Sequence, residues 1–400
     1  MLQRCIPQGN RRRQWHCRRN HMVLYMDEFV SQPPMSGRGR RTNGALMVEG
    51  SLETSRQAIS RLQHVIDEVL TPLVPGRKCA LLDFPHHPNV GDSAIWLGEQ
   101  IFLSKLGVKP VFVCAAGNCD WNAMARAIGP DGAILIHGGG NFGDVWPIHQ
   151  QLREEVLDRF PDHRVLQLPQ TVHFSDPNEA NRTAAKIKKH GKFTLAVRDH
   201  KSLAFAQERF ECNVVLCPDM AFCIGPIGAA ESSDPRILLL LRSDKEKRDH
   251  SPADAMLQSP DLLCTDWLTE SRTKTRLGAR GRLFADMLRG RTGPTLRGSY
   301  YSALATERVR RGFRQLASFR YIVSDRLHVH ILSTLLGRHH ALLDNNYGKL
   351  SSFIAAWNTN WDGMQVCHEL PLAVEAARRE IAAKPVTISP AGNRGLFVSR

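Results

Sequence analysis

Short apolar runs that alternate with helical segments constrain the fold of this chain more than any other feature of its sequence. Six such runs recur between residues 78 and 217, and segments with helical periodicity fill most of the gaps. Because strands and helices alternate at this spacing, the pattern predicts a parallel, doubly wound α/β sheet. The predicted strands are Lys78 to Phe84, Pro110 to Cys114, Ala133 to His137, Arg164 to Leu168, Phe193 to Val197 and Asn213 to Cys217.

A second α/β unit is predicted after residues 226–235, which are dense in Gly, Pro and Ser and indicate a linker. It begins with the apolar run Arg236 to Arg242, which is typical of a parallel strand covered on both faces. Residues 243–299 are polar and rich in Arg, and only Leu262 to Cys264 suggests a strand there. The other predicted elements are a helix at Ser302 to Ser318, a strand at Tyr321 to Val323, a helix at Leu327 to Leu336, a strand at His339 to Leu343 and a helix at Lys349 to Trp357.

These elements predict two α/β domains that face each other, at residues 46–225 and 236–346, with C-terminal helices and a tail at 347–400. Residues 1–45 form a separate arm that carries nine Arg, no Lys and two acidic residues. The arm thus holds half of the formal net charge of +14. It lacks sustained apolar periodicity, so a disordered basic arm is expected.

The ten cysteines give no sign of a structural metal site or a redox pair. Cys114 and Cys119 are five residues apart, as are Cys212 and Cys217, and no C-x-x-C occurs. We therefore expect no structural zinc and a reducing cytoplasm. No apolar run approaches the roughly 18 residues of a transmembrane helix, so a soluble protein is expected.

Three consecutive glycines follow the predicted strand at Ala133 to His137, in the sequence HGGGNFGD. Gly138, Gly139 and Gly140 lack a Cβ, so they can take positive φ and let backbone N–H groups approach an anion closely. Ligands in open α/β sheets bind at the carboxyl ends of strands. The loop therefore predicts a phosphate or carboxylate site at that edge.

Two known functions of such loops are disfavoured by what the chain lacks. Gly138, Gly140 and Gly143 satisfy the letter of a dinucleotide fingerprint, but the next strand ends in Leu168, Pro169 and Gln170, without the required acid. The HGGG sequence is typical of an esterase oxyanion loop, but the chain contains no G-x-S-x-G nucleophile elbow. Nicotinamide binding and serine-dependent acyl transfer are both disfavoured.

Polar residues beside glycines cluster after the other predicted strands too, and together they resemble a known family. The sequence is similar to that of the polysaccharide pyruvyltransferases between about Leu81 and Asn346. The segments that carry the resemblance are NVGD at 89–92, HGGGNFGD, LPQTV, VRD at 197–199, CPDMAF and SDRLHVH at 324–330.

The resemblance implies two Rossmann-like domains in a GT-B-like arrangement, with the active site in the interdomain cleft. It implies transfer of the pyruvyl group of phosphoenolpyruvate to two sugar hydroxyls, forming a pyruvate ketal and releasing phosphate. The implied partners are phosphoenolpyruvate and a sugar acceptor of exopolysaccharide biosynthesis, either a polymer or a lipid-linked repeat unit. A lipid-linked acceptor would place a cytoplasmic protein at the inner membrane face, with peripheral contact to its surface.

The resemblance also assigns residues to the site. Arg198 and Arg326 match the donor-binding arginines, and a planar guanidinium suits carboxylate and phosphate oxygens. His328 matches the acid, since an imidazole titrates near neutral pH. Asp92 either caps a helix or orients and deprotonates an acceptor hydroxyl. Substrate binding is also assigned to Asn89, Gly91, Gly138, Gly139, Gly140 and Asn141, whereas His330 is expected to be structural and His86 and His87 to be bystanders.

No metal and no cofactor are expected, because the arginines can supply the positive charge. Two alternatives remain open. A GT-B glycosyltransferase that uses a nucleotide sugar would share the fold and the acceptor class. A nucleic-acid-binding protein could use the Arg-rich arm, but Trp15 is the one aromatic residue in its densest Arg cluster and no recognition motif is evident. No specific nucleic acid is therefore expected as a partner.

Overall fold

The computed structural model describes residues 53–74, 78–228, 232, 234–242, 259–290, 293, 295–344, 349–357, 359 and 361–383. The basic arm predicted at residues 1–45 lies outside these ranges, as does the end of the predicted tail. In the described residues no helix is long and apolar enough to cross a bilayer.

The first sheet has seven parallel strands, in the order β2, β1, β3, β5, β6, β7, with β4 paired to an extension of β5. Its strands are β1 (Cys79–Leu82), β2 (Phe112–Val113), β3 (Ala133–Ile136), β4 (Gly139–Gly143), β5 (Arg164–His173), β6 (Phe193–Val197) and β7 (Asn213–Leu216). The helices of this unit are α1 (Ser55–Leu70), α2 (Val90–Lys105), α3 (Trp121–Ile128), α4 (Pro147–Arg159), α5 (Pro177–His190) and α6 (His200–Arg209). A 3₁₀ helix follows at Met220–Ile224.

The second sheet has five parallel strands, in the order β12, β11, β10, β8, β9. They are β8 (Asp234–Leu240), β9 (Leu262–Thr265), β10 (Phe319–Ser324), β11 (His340–Leu343) and β12 (Met364–Cys367). The helices of this unit are α7 (Arg272–Leu288), α8 (Leu296–Ala317), α9 (Leu327–Leu336), α10 (Lys349–Trp357) and α11 (Leu370–Ala383). The chain is thus a mixed α/β protein built on two parallel sheets, as the alternating pattern predicts.

Helix α8 of the second unit packs directly on α2 of the first. Gly312 makes this approach feasible, because a Cβ there would lie 2.4 Å from the Cγ1 atom of Val90. At the other end of α8, the rings of Tyr301 and Phe84 stack with centroids 4.0 Å apart. Side chains from both units therefore contribute to one buried apolar cluster.

The structure corrects several boundaries. Strand β8 begins at Asp234, inside the predicted linker at 226–235, and β12 extends the second sheet into the region predicted as C-terminal helices and tail. The described part of residues 243–299 contains a full helix, α7, in addition to β9. A turn between Ala115 and Asn118 brings Cys114 and Cys119 together as a disulfide, contrary to the prediction from their spacing.

Candidate active site

A cavity of about 300 Å³ lies where loops after strands of both sheets meet. Eight of the ten residues predicted for the site line it: Asn89, Asp92, Gly138, Gly140, Asn141, Arg198, Arg326 and His328. We call the side formed by Asp83, Asp92, His137, Asn141 and Arg198 the first-sheet wall. The side formed by Trp267, Arg326 and His328 is the second-sheet wall.

Asn89 and Asp92 lie at the start of α2. Asn89 caps the helix, and Asp92 does not, although a cap was one of the two roles predicted for it. Asn89 is the N-cap, and its Oδ1 accepts a hydrogen bond of 2.9 Å from the N–H of Gly91. Asp92 lies in the first turn, where its Oδ2 accepts from the Asn89 amide at 2.8 Å. Burial alone would raise the pKa of Asp92, but His87, His328, His137 and Arg198 lower it overall. Asp92 is therefore an ionised group beside the cavity.

Gly91 does not line the cavity, but it determines where His328 can lie. A Cβ on Gly91 would be 2.4 Å from the imidazole Nδ1 and 2.5 Å from its Cγ. Contacts this short are forbidden by van der Waals repulsion, so any larger residue at position 91 would displace the imidazole. The first turn of α2 thus forms the surface on which the His328 ring rests.

His328 faces a carboxylate across the two units. Its Nε2 lies 3.4 Å from the Oδ2 atom of Asp219, which follows β7 at the N-cap of the 3₁₀ helix. Burial would raise the pKa of Asp219, but the charges of His328 and Arg198 hold it well below its ordinary value. An ionised carboxylate therefore lies beside the imidazole ring in the cavity.

Arg198 follows β6 and shares the same carboxylate. Its Nη1 donates to Asp219 Oδ2 at 2.6 Å, and its Nε donates to Thr171 Oγ1 at 2.9 Å. The remaining Nη2 lies 3.2 Å from the position that a Cβ on Gly140 would take. The absence of a side chain at Gly140 therefore leaves room for the guanidinium at the cavity.

Arg326 supplies the second guanidinium, at the N-cap of α9. Its Nη2 lies 2.6 Å from Asp266 Oδ1, and both side chains are largely buried. Its backbone N–H donates to Ser324 Oγ at 3.1 Å, which fixes the turn between β10 and α9. Asp266 comes from the polar region in which the sequence alone indicated only one short strand.

Gly139 and Gly140 of the glycine run belong to strand β4, and side chains bind several N–H groups of this segment. The N–H of Gly138 donates to Glu99 Oε1, that of Asn141 to Gln170 Oε1, and that of Gly143 to Gln150 Oε1. Of the three glycines predicted to bind an anion, Gly138 thus has its N–H bonded to a protein side chain, while Gly138 and Gly140 both line the cavity. Gly139 does not line the cavity, but its φ of 125° lets β4 pair with β5.

Asn141 is the centre of a hydrogen-bond network in the first-sheet wall. Its Nδ2 donates to Asp83 Oδ2 at 3.1 Å, and its Oδ1 accepts from Arg153 and Gln170 at 3.1 and 2.8 Å. Asp83 also accepts from His149 Nδ1, or shares a proton with it, at 2.7 Å. The side chain of Asn141 thus orders its neighbours while it lines the cavity.

Asp83 has a backbone conformation that is rare for a residue with a side chain. Its φ is 69°, and among the described residues no other non-glycine has positive φ. Such a conformation costs on the order of 1 kcal/mol and persists where the surroundings enforce it. The hydrogen bonds of the buried carboxylate with His149 and Asn141 hold Asp83 in this conformation. The strained backbone therefore lies at the wall of the cavity.

His137, the first residue of the HGGGNFGD segment, was not among the predicted site residues. Its Nδ1 lies 2.8 Å from Glu99 Oε2, which is itself fully buried. Burial lowers the pKa of His137, but Glu99, Asp83 and Asp92 raise it overall. Its Nε2 is buried and makes no hydrogen bond with the described residues. The imidazole therefore lines the cavity with one nitrogen held and one nitrogen available.

His87, which the sequence left without a partner, also lines the cavity. Its Nε2 is 3.5 Å from Asp92 Oδ2. Burial is the main cause that lowers its pKa, and Asp92 opposes this. His330 behaves as expected of a structural residue, since it is fully buried and bonded to His340 and Thr359.

The residues that sequence reasoning missed share one signal. Asp83, His137 and Asp266 come directly after β1, β3 and β9, and Asp219 comes three residues after the end of β7. Glu99 carries no such signal, because it lies within α2 and is recognisable only through the groups it contacts. Among the described residues no group of three or more His, Cys, Asp or Glu side chains could hold a metal ion.

Comparisons with known proteins show the family of this chain. The model of the family described as "Polysaccharide pyruvyl transferase" matches residues 89–347. Pyruvyl transferase 1 of Schizosaccharomyces pombe (strain 972) is 32% identical over 310 residues, which cover 72% of each chain. EpsO of Bacillus subtilis (strain 168), provisionally designated a pyruvyl transferase, is 28% identical over 305 residues, or 76% of this chain and 92% of EpsO.

A solved structure supports the fold. The chain is similar to a functionally uncharacterized protein from Klebsiella pneumoniae subsp. pneumoniae NTUH-K2044, with a TM-score of 0.50 and 15% sequence identity. The match covers 76% of this chain and 98% of that one. At this identity the likeness concerns the α/β fold alone.

Proposed function

The chain belongs to the polysaccharide pyruvyl transferase family, and on this premise we propose that it transfers the pyruvyl group of phosphoenolpyruvate to two hydroxyls of a sugar. The products are a cyclic pyruvate ketal and inorganic phosphate. One observation carries the proposal: Arg198, Arg326 and His328, which come from different units of the chain, line the same cavity.

The two arginines suit the donor. Phosphoenolpyruvate bears a carboxylate and a phosphate on a small skeleton, and planar guanidinium groups bind both kinds of oxygen with two parallel hydrogen bonds. Asp219 holds Arg198, and Asp266 holds Arg326, each at 2.6 Å. We assign the donor to the space between these two guanidinium groups, which are oriented before the substrate arrives.

His328 is assigned the proton donor. It transfers a proton to the methylene carbon of phosphoenolpyruvate, and positive charge develops at the adjacent carbon that bears the phosphate. Asp219 supports this role because it stays ionised and lies 3.4 Å from the imidazole Nε2. Positioned acids of this kind contribute about 10²–10⁴-fold to a rate.

The acceptor is assigned to the side of Asp92 and His87. The lowered pKa of Asp92 makes it a weak base, so it orients a hydroxyl by accepting its hydrogen bond. His87 has a lowered pKa and is neutral near pH 7, so it takes the proton of the first hydroxyl as that oxygen attacks. The second hydroxyl displaces phosphate, and its proton leaves with the phosphate. Solvent then carries the proton from His87 back to His328, which balances the reaction.

We propose further that the two parallel sheets form a GT-B-like pair of domains and that the cavity is their catalytic cleft. The acceptor that we favour is a lipid-linked oligosaccharide at the cytoplasmic membrane face. The lining by residues that follow strands of both sheets supports this arrangement.

A product assay tests the function. The full chain is incubated with phosphoenolpyruvate and either a lipid-linked or a free oligosaccharide, and the products are examined by mass spectrometry and carbon NMR. We expect phosphate release that depends on the acceptor and a quaternary ketal carbon in the sugar. His328→Ala, prepared in parallel, reports any background hydrolysis of phosphoenolpyruvate.

A different product would identify the rival enzyme. If no ketal forms, but a hexose is transferred from a nucleotide sugar to the same acceptor, the chain is a glycosyltransferase and the pyruvyl assignment is wrong. Phosphoenolpyruvate and the nucleotide sugar are each tested with every acceptor, so the result does not depend on the choice of one sugar.

A further inference from the structure

The outward face of α7 carries a row of large apolar side chains exposed to solvent. Leu277, Phe284 and Leu288 are 69%, 64% and 74% exposed, respectively. Their spacing of seven and four residues places them in line on one helical face, with Gly281 between them. Clusters of exposed apolar side chains on a soluble domain mark interaction surfaces more often than isolated ones do.

The opposite face of α7 holds the helix in place. Ala279 is fully buried there, and the ion pair between Arg282 and Glu307 of α8 spans 3.1 Å. Gly278 leaves room for the same Glu307 side chain, since a Cβ would lie 3.2 Å from its Oε2. The apolar row is therefore not part of the core that stabilises the helix.

Positive charge flanks the apolar row. Arg276 and Arg280 lie on one side of it and Lys274 on the other, and all three are exposed. The one acidic residue within the helix, Asp286, is buried on the inner face. Exposed Leu296 and Arg297 at the start of α8 continue the same chemistry. The surface thus combines a narrow apolar strip with a border of cations.

We propose that this face of α7 binds the surface of an anionic lipid bilayer. Leu277, Phe284 and Leu288 would enter the boundary between headgroups and acyl chains, and the flanking cations would contact lipid phosphates. The charge border favours a bilayer over a second copy of the same face, because two copies would bring like charges together.

Helix α7 lies close to the cavity, so a membrane contact there would also place the cavity near the membrane. The segment directly before the helix contains Asp266, which pairs with Arg326, and Trp267, which lines the cavity. The pKa of His86, in the loop opposite, is lowered by burial first and also by the charge of Arg276 in the first turns of α7. A bound α7 therefore holds the cavity beside the lipid surface. This benefit, unlike the binding itself, rests on the proposed lipid-linked acceptor.

Vesicle sedimentation with the full chain tests the proposal. Vesicles of phosphatidylcholine alone are compared with vesicles that contain an equal amount of phosphatidylglycerol. We expect the triple variant Leu277→Gln, Phe284→Gln, Leu288→Gln to bind the anionic vesicles at least tenfold more weakly than the unmodified chain. Leu372→Gln, an exposed leucine of α11, is the matched control and should bind normally.

The basic arm at residues 1–45 can also attract anionic lipids, so the full chain is used throughout. Binding by the arm alone would be equal in the triple variant and the unmodified chain, and that result would overturn the proposal. So would a triple variant that changes only the oligomeric state, measured by light scattering. Circular dichroism and thermal melting verify that the triple variant is folded.

The membrane proposal and the proposed function can fail separately. Vesicle binding is measured without substrate, so a chain that makes a ketal on a soluble acceptor but ignores the vesicles sinks the membrane proposal alone. If the vesicles bind only while the apolar row is intact, and no acceptor yields a ketal, the membrane proposal is supported and the proposed function is wrong.

Discussion

The first-sheet wall and the second-sheet wall of the cavity hold their polar groups in different ways. Asn141 in the first-sheet wall bonds to Asp83, Arg153 and Gln170 at once, and all of these lie in one unit. In the second-sheet wall, Arg326 lies beside Asp266 of its own unit, and His328 lies beside Asp219 of the other unit. Several mutual hydrogen bonds hold the side chains of the first-sheet wall. The charged groups of the second-sheet wall lie together at the first turn of α9.

This difference has a consequence for substitutions. Removing a side chain from the first-sheet wall leaves several buried groups without partners, so the fold itself should lose stability. Removing one from the second-sheet wall should remove a charge or a proton while the fold remains. The four predictions below test this contrast, in order of decreasing effect.

The largest effect is expected for His328→Ala. Without the imidazole the proton donor is lost, and turnover should fall by about 10²–10⁴-fold. The melting temperature should stay close to that of the unmodified chain. A turnover within twofold of the unmodified chain would show that His328 does not transfer the proton.

Arg326→Ala should act mainly on donor binding. Charge-assisted hydrogen bonds contribute about 1.5–3 kcal/mol, so the KM for phosphoenolpyruvate should rise about 10- to 100-fold. Arg326→Lys retains the charge but not the planar fork, and it should recover part of this loss. Steady-state kinetics at varied phosphoenolpyruvate checks both, and an unchanged KM in the Ala variant would remove Arg326 from the donor site.

Asn141→Ala tests the rigid network. It leaves the fully buried guanidinium of Arg153 without one of its acceptors, and burial already lowers the pKa of that group to about 10. We expect a loss of about 1–3 kcal/mol in the free energy of unfolding, measured by urea denaturation. Asn122→Ala, at an exposed position of α3, should change stability by less than about 0.5 kcal/mol. Equal effects of the two would mean that the network is not cooperative.

The smallest effect concerns the support behind the second-sheet wall. His330 on α9 and His340 on β11 are both fully buried and hydrogen-bonded at 2.9 Å. Burial lowers the pKa of His340 to about 4 and that of His330 well below its ordinary value, although the hydrogen bond to the Arg338 carbonyl and the charge of Glu380 partly oppose this at His340. Both imidazoles are therefore neutral in the folded chain near pH 7.

The sign of the pH dependence follows from these lowered values. The unfolded chain binds more protons than the folded one below about pH 6.5, so this stability is fully present above that pH and is lost as the pH falls toward 4. His340→Gln keeps a hydrogen-bonding side chain but cannot titrate. We expect it to reduce the slope of unfolding free energy against pH by about 1.4 kcal/mol per pH unit in this range. Urea denaturation at several pH values measures the slope, and parallel slopes would contradict the assignment.

The sequence predicted the strands well where apolar runs were continuous and fully buried, as in β1 and β3. It missed β12, because two of its four residues are exposed and the run MQVC is not apolar throughout. It missed α7 because the large apolar side chains of that helix face solvent among arginines, so the polar composition hid its periodicity.

For the site, residues next to strand ends were predictable and their partners were not. Arg198, Arg326 and His328 follow β6 and β10 closely, and parallel strands place such residues at one edge. That Glu99 and Gln170 take the N–H groups of Gly138 and Asn141 depends on packing between distant segments. Local sequence does not contain the information for those contacts, so it could not show that a side chain takes the N–H of Gly138.

The contact between Gly91 and His328 limits how freely the two halves of such a protein can be exchanged. The glycine belongs to the first unit and the imidazole to the second, yet the ring has its observed orientation only because position 91 lacks a side chain. A chimera that joins the first half of one relative to the second half of another would inherit the proton donor from one parent and its resting surface from the other. In such a chimera the ring could keep its observed place only where the parent of the first half carries a glycine at position 91.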